Sequence, residues 1–111
     1  MIKTTPTSSD TFEKDIADGV SIVYFSGEGC GFCTAVDRDL KAFPSALLRD
    51  VPIYKIDGPS NPAICKIFDV DGYPHLLIIV EGYDIGNEII GYSSKAALQE
   101  FLECAQSIAE Q

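Results

Sequence analysis

The stretch Gly29-Cys30-Gly31-Phe32-Cys33-Thr34-Ala35-Val36 sets two cysteines, with two residues between them, directly after an apolar run. That spacing serves half of a zinc site, a structural disulfide, or a thiol pair that exchanges electrons with other proteins. A zinc site needs two more ligands, and Cys65 and Cys104 are the only cysteines left. The thiol reading is favoured because a buried strand precedes the pair and a helix follows it. Cys30 would then stand at the helix N-terminus, where unpaired N–H groups and the helix dipole favour a thiolate over a free thiol near about 8.5. Cys33, one turn on and shielded, is placed to attack a mixed disulfide and release the product.

The elements that would hold this pair are legible in outline. Ser8-Ser9-Asp10 caps a helix with Phe12 and Ile16 on one face, closed at Asp18-Gly19. Val20 to Phe25 has no polar alternation beyond Ser21, as expected of a strand buried on both faces. After the cysteines, Val36, Leu40 and Phe43 follow helical spacing until Pro44, and Ser45 to Arg49 adds a short turn. Val51 to Ile56 reads as a strand. Asn61-Pro62 opens a helix whose buried stripe is Ile64, Ile67 and Phe68. His75 to Val80 is the most apolar strand, a turn at Glu81 to Gly86 leads to a short one at Glu88 to Gly91, and Ser93 or Ser94 caps a last helix with Leu98, Phe101, Leu102 and Ala105 inward. An edge strand at Ile2 to Thr5 completes the pattern. The expectation is one α/β domain over residues 1–111, with a half-parallel sheet and helices on both faces.

Composition narrows the partners. The 111 residues, 46% hydrophobic with 10% aromatic, suffice for one core. Eight basic against 17 acidic residues, net charge -9, make a poor match for nucleic acid or anionic lipid. No apolar run is long enough to span a bilayer, and Met1 to Pro6 has no signal-like apolar stretch. The expected location is cytoplasmic, or periplasmic or secreted if a signal segment was removed.

The whole chain resembles thioredoxin. The resemblance rests on the strand-turn-C-x-x-C-helix unit, Lys55-Ile56-Asp57, Gly72-Tyr73-Pro74 before Leu76 to Val80, and Gly91-Tyr92-Ser93-Ser94-Lys95 opening the last helix. It implies a thioredoxin fold with a mixed central sheet of four to five strands flanked by four helices. It also implies a cis Pro74 facing the cysteines and a substrate groove formed by Gly29, Phe32, Tyr73, Pro74 and Gly91, with Phe32 and Tyr73 as its apolar contact patch. Departures from the family's usual pattern are Gly29 for a tryptophan, Phe32 for a proline, and Tyr24 for a buried acid. Glu28, Lys55 and His75 are candidates for tuning the thiols, although a solvated face is the preferred reading of the first two, and a backbone-satisfied strand end suits His75 equally. Cys33 to Arg49 looks more like the branch with disulfide isomerase-type and periplasmic reductase-type domains. The resemblance places Cys65 and Cys104 on opposite sheet faces, as helix-flank residues rather than a disulfide. Asp37, Asp39, Asp69 and Asp71 read as solvated faces.

The function expected is thiol–disulfide oxidoreduction through Cys30 and Cys33, supporting electron transport and cell redox homeostasis. No cofactor or metal is implied. Partners would be protein disulfide substrates and a reductase or other dithiol donor, and the chain is expected to be a monomer. The alternative is a redox-sensing or partner-binding module without turnover. A glutaredoxin-like use of glutathione or an iron–sulfur cluster fits the helix before Val20 and the Gly91 to Lys95 segment less well.

Overall fold

The computed structural model describes residues 1–111. In chain order it forms β1 (Thr5–Pro6), α1 (Phe12–Ile16), β2 (Val20–Ser26), α2 (Gly31–Ala42), a 3-10 turn (Ser45–Leu47), β3 (Ile53–Asp57), α3 (Pro62–Ile67), β4 (His75–Val80), β5 (Tyr83–Ile90) and α4 (Lys95–Ala109). The sheet runs β1-β3-β2-β4-β5. β1, β3 and β2 are parallel, whereas β4 and β5 are antiparallel to their neighbours. No helix is long and apolar enough to cross a membrane.

The apolar run of β2 is explained by two cores, one on each face of the sheet. Ile22 and Tyr24 enter the cluster under α2 and α4 with Val36, Leu40, Leu76 and Leu102. Val23 and Phe25 enter the cluster under α1 and α3 with Phe12, Ile16, Ile64 and Leu77. A central strand covered on both sides has no solvent face, so it loses polar alternation. Cys65 belongs to the second cluster while Cys104 packs beside the first, and both thiols are free.

Several expectations need correction. The edge strand lies at Thr5–Pro6, and Ile2 is instead a core residue. Ile67 is 72% exposed. α3 ends at that residue, Asp69 turns the chain at φ 59°, and Val70 folds back so that its N–H donates to the Cys65 carbonyl at 2.8 Å and its side chain closes the stripe. β5 starts at Tyr83, because Glu81 and Gly82, both at positive φ, make a two-residue hairpin turn. Gly86 at φ 88° lies within the strand, where the register against β4 shifts between Leu77 and Ile79.

The Asp39 side chain is 3% exposed, not solvated. Tyr92 donates its hydroxyl to Asp39 Oδ2 at 2.7 Å, and Arg38 donates to Oδ1 at 3.2 Å. The hydrogen bond to Asp39, more than burial, raises the Tyr92 pKa. A raised phenol pKa means this contact is fully present below tyrosine's ordinary 10.0 and is lost as pH rises through the higher folded value. Asp39→Ala leaves a void beneath Tyr92 and removes a charged acceptor, and is expected to lower the melting temperature by roughly 5 °C. Calorimetry at neutral pH checks this, and an unchanged transition would mean the buried carboxylate contributes nothing net.

Candidate redox site

The site grows from the end of β2. Gly27 offers its carbonyl to the Cys30 N–H at 3.4 Å, and Gly29 adopts φ 74°, a turn that suits glycine. Cys30 is the N-cap of α2 in extended conformation, with its Sγ accepting the Cys33 N–H at 3.1 Å. The two cysteines are joined as a disulfide with Cα atoms 5.2 Å apart. Cys30 is half-buried and Cys33 only 3% exposed, so a partner disulfide would meet Cys30 first. Phe32 stands out between them at 64% exposure. Cys65 and Cys104 lie on opposite sheet faces, so the two cannot both be ligands in one zinc set with the pair.

The Tyr73–Pro74 peptide is cis, and the buried Pro74 accepts the Gly91 N–H at 2.8 Å, tying the β4 entry to the turn after β5. Tyr73 is half-buried. Its ring lies against Gly27 and Gly58, and its hydroxyl is 3.8 Å from Cys65 Sγ. Burial first, then the Cys65 contact, raises the pKa of that hydroxyl. Phe32 is therefore the freer aromatic.

The three tuning candidates separate. Glu28 is exposed and His75 is buried against Phe25, with ring centroids 6.4 Å apart; neither lines the groove beside the cysteines. His75 Nε2 is 3.5 Å from Glu88 Oε1 without hydrogen-bond geometry, and Nδ1 has no partner. Lys55 does line the groove, with Asp37. Its Nζ donates to Asp37 Oδ1 and Oδ2 at 3.2 and 3.1 Å and lies 5.3 Å from the Tyr24 ring centroid. Tyr24 sets its hydroxyl 3.1 Å from both the Cys33 carbonyl and Asp37 Oδ1. Burial, then the charge of Asp37, holds that hydroxyl far above its ordinary pKa. Asp37, read from sequence as solvated, is thus a half-buried member of the site. The available signal was its place four residues after Cys33, beside a strand that carries tyrosine instead of an acid.

A five-stranded mixed sheet with a C-x-x-C disulfide at the head of a helix defines a domain of the thiol–disulfide oxidoreductase class. The Thioredoxin family model matches residues 3–104, and the chain belongs to that family. It is 32% identical over 81 residues to protein disulfide-isomerase A3 of Gallus gallus, a match covering 71% of this chain and 16% of that protein. It is likewise 32% identical over 102 residues to the thioredoxin domain-containing protein 5 homolog of Drosophila melanogaster, covering 87% and 24% respectively. The chain spans at most 24% of the length of these relatives. A mutant thioredoxin from Halobacterium salinarum NRC-1 superposes with TM-score 0.77 at 21% identity, over 94% of this chain and 91% of that one. Thioredoxin from Trypanosoma brucei brucei gives 0.78 at 20% identity, over 92% and 89%. At those identities the two structures share the fold.

Proposed function

We propose that this domain passes electron pairs between the Cys30–Cys33 dithiol and disulfides in protein substrates, with reduction as its main direction. The observation that carries the reading is the asymmetry of the pair: a reachable Cys30 at a helix N-terminus and a shielded Cys33 one turn behind it. An extended substrate segment would lie across Gly29, Phe32, Tyr73, Pro74 and Gly91. A reductase or other dithiol supplies the electrons, and the domain works as a monomer, without cofactor, nucleic acid or membrane. The likeness to a protein named disulfide-isomerase supports isomerisation as a further direction.

Equilibrating the pair against graded glutathione or dithiothreitol buffers tests direction and compartment together. Potentials for this motif type span roughly -270 to -120 mV. We expect a value in the lower part of that range, which suits a reductase in the reducing cytoplasm. A value near the upper end would overturn both and favour an oxidase or isomerase in an oxidising compartment. A second reading, a redox-sensing or partner-binding module, is favoured by Tyr24 in place of the family's acid. Absence of insulin-reducing turnover in the wild type would select it.

A further inference from the structure

Cys33 is 3% exposed, and a buried thiol resists losing its proton because the thiolate is poorly solvated. Yet the resolving step needs that thiolate. Tyr24, the polar side chain beneath the Cys33 carbonyl, cannot take the proton, since it is itself a hydroxyl donor at ordinary pH. Among the groove residues shared with Cys30 and Cys33, Asp37 supplies the one carboxylate. It lies one helical turn after Cys33 and is held from two strands, by the Tyr24 hydroxyl of β2 and the Lys55 ammonium of β3. Both partners donate, so the pair fixes the carboxylate facing the groove while leaving it unoccupied acceptor sites.

We propose that Asp37 is the positioning residue for the resolving step: it accepts the Cys33 thiol proton across the groove through a solvent molecule. This rests on the oxidoreductase reading above. Once Cys30 is joined to substrate sulfur, the Cys33 proton passes to the Asp37 carboxylate. The Cys33 thiolate then attacks Cys30 Sγ, the Cys30–substrate bond breaks, and the Cys30–Cys33 bond forms. The substrate leaves as a thiolate and is protonated by the Asp37 carboxyl or solvent, which restores the carboxylate. Two electrons have moved from the dithiol to the substrate disulfide. Other charged groups bordering Asp37 are Met1, with its amino group, and Lys3 in the N-terminal segment, and Lys41 on α2.

The test oxidises the reduced domain with 5,5′-dithiobis(2-nitrobenzoate), an aromatic disulfide, in a stopped-flow instrument. The first coloured thiolate is released in a bimolecular step by Cys30, and the second in a unimolecular step by Cys33. Asp37→Asn should leave the first step unchanged and slow the second by roughly tenfold to a hundredfold at pH 7. That gap should close as pH rises through the ordinary thiol range near about 8.5. Asp37→Glu should restore most of the neutral-pH rate, and Asp37→Ser should repeat the asparagine result if that variant folds poorly. Lys41→Gln alters the nearby charge but keeps the carboxylate, so its profile should match the wild type. A second step within twofold of wild type in Asp37→Asn, equal slowing at every pH, or the same loss in Lys41→Gln overturns the proposal. Because the probe is small, inactivity toward protein disulfides would sink the proposed function and leave this measurement readable.

Discussion

Cys33→Ser should turn the domain into a covalent trap, and Cys30→Ser should remove its reaction altogether. The two sulfurs are unequal in exposure and in backbone setting. Cys30, half-buried at the N-cap, can meet a partner disulfide, whereas Cys33 is covered and its N–H already points at Cys30 Sγ. With Cys33 replaced by serine the first exchange still proceeds, but nothing attacks the mixed disulfide from within. Turnover of insulin should fall by roughly a thousandfold or more in either variant. Only Cys33→Ser should yield adducts that survive a non-reducing gel and are released by dithiothreitol. If Cys33→Ser traps nothing and the wild type also fails to reduce insulin, the enzyme reading is wrong and the binding module takes its place. If Cys30→Ser is the variant that traps, the roles of the sulfurs are reversed.

What the sequence discloses about this site is what local pattern controls. The position of the cysteines after a doubly buried strand, the break at Pro44 and the Ser94 cap, which accepts the Ala97 N–H at 3.0 Å, depend on neighbours a few residues away. Features depending on distant neighbours were hidden. Asp37 and Asp39 sit among Arg38 and Lys41 in what looks like a solvated face; Lys55, 18 residues on, and Tyr92, 53 residues on, bring them inside. Asp84, Gly86 and Asn87 have turn composition, yet Glu81 and Gly82 make the turn, because reversal two residues after β4 keeps Tyr83 opposite Val80. Tyr73 was legible as a loop aromatic beside a cis proline. Its inward fit was not, because it depends on two glycines whose separation in sequence gives no hint that they face one ring.

That fit gives the second large effect, at a residue with no chemistry of its own. Gly58 is buried just past β3, where its N–H donates to the Ser26 carbonyl at 2.8 Å and its carbonyl accepts the Cys65 thiol at 3.5 Å. Its backbone therefore cannot slide without disturbing both the β2 end that leads to Cys30 and the helix that carries Cys65. An added methyl group would collide with the Tyr73 ring, while one on Gly27 would come within 2.9 Å of the same ring. The ring must yield, and Tyr73 is joined directly to Pro74, which is buried and tied to Gly91. Gly58→Ala should thus expel Tyr73 from its seat and displace the proposed substrate loop, at a cost of about 1–3 kcal/mol in stability. Reduction of protein disulfides should fall by roughly tenfold or more, since small misplacements at a reacting centre carry costs of that order. The first step of the reaction with a small aromatic disulfide, which needs only Cys30, should persist. The cause can be isolated by a double-mutant cycle: Tyr73→Ala removes the ring, so adding Gly58→Ala to it should cost far less than adding it to the wild type. Additive losses, or a Gly58→Ala protein that melts with the wild type, would show that the ring and the glycine do not share this space.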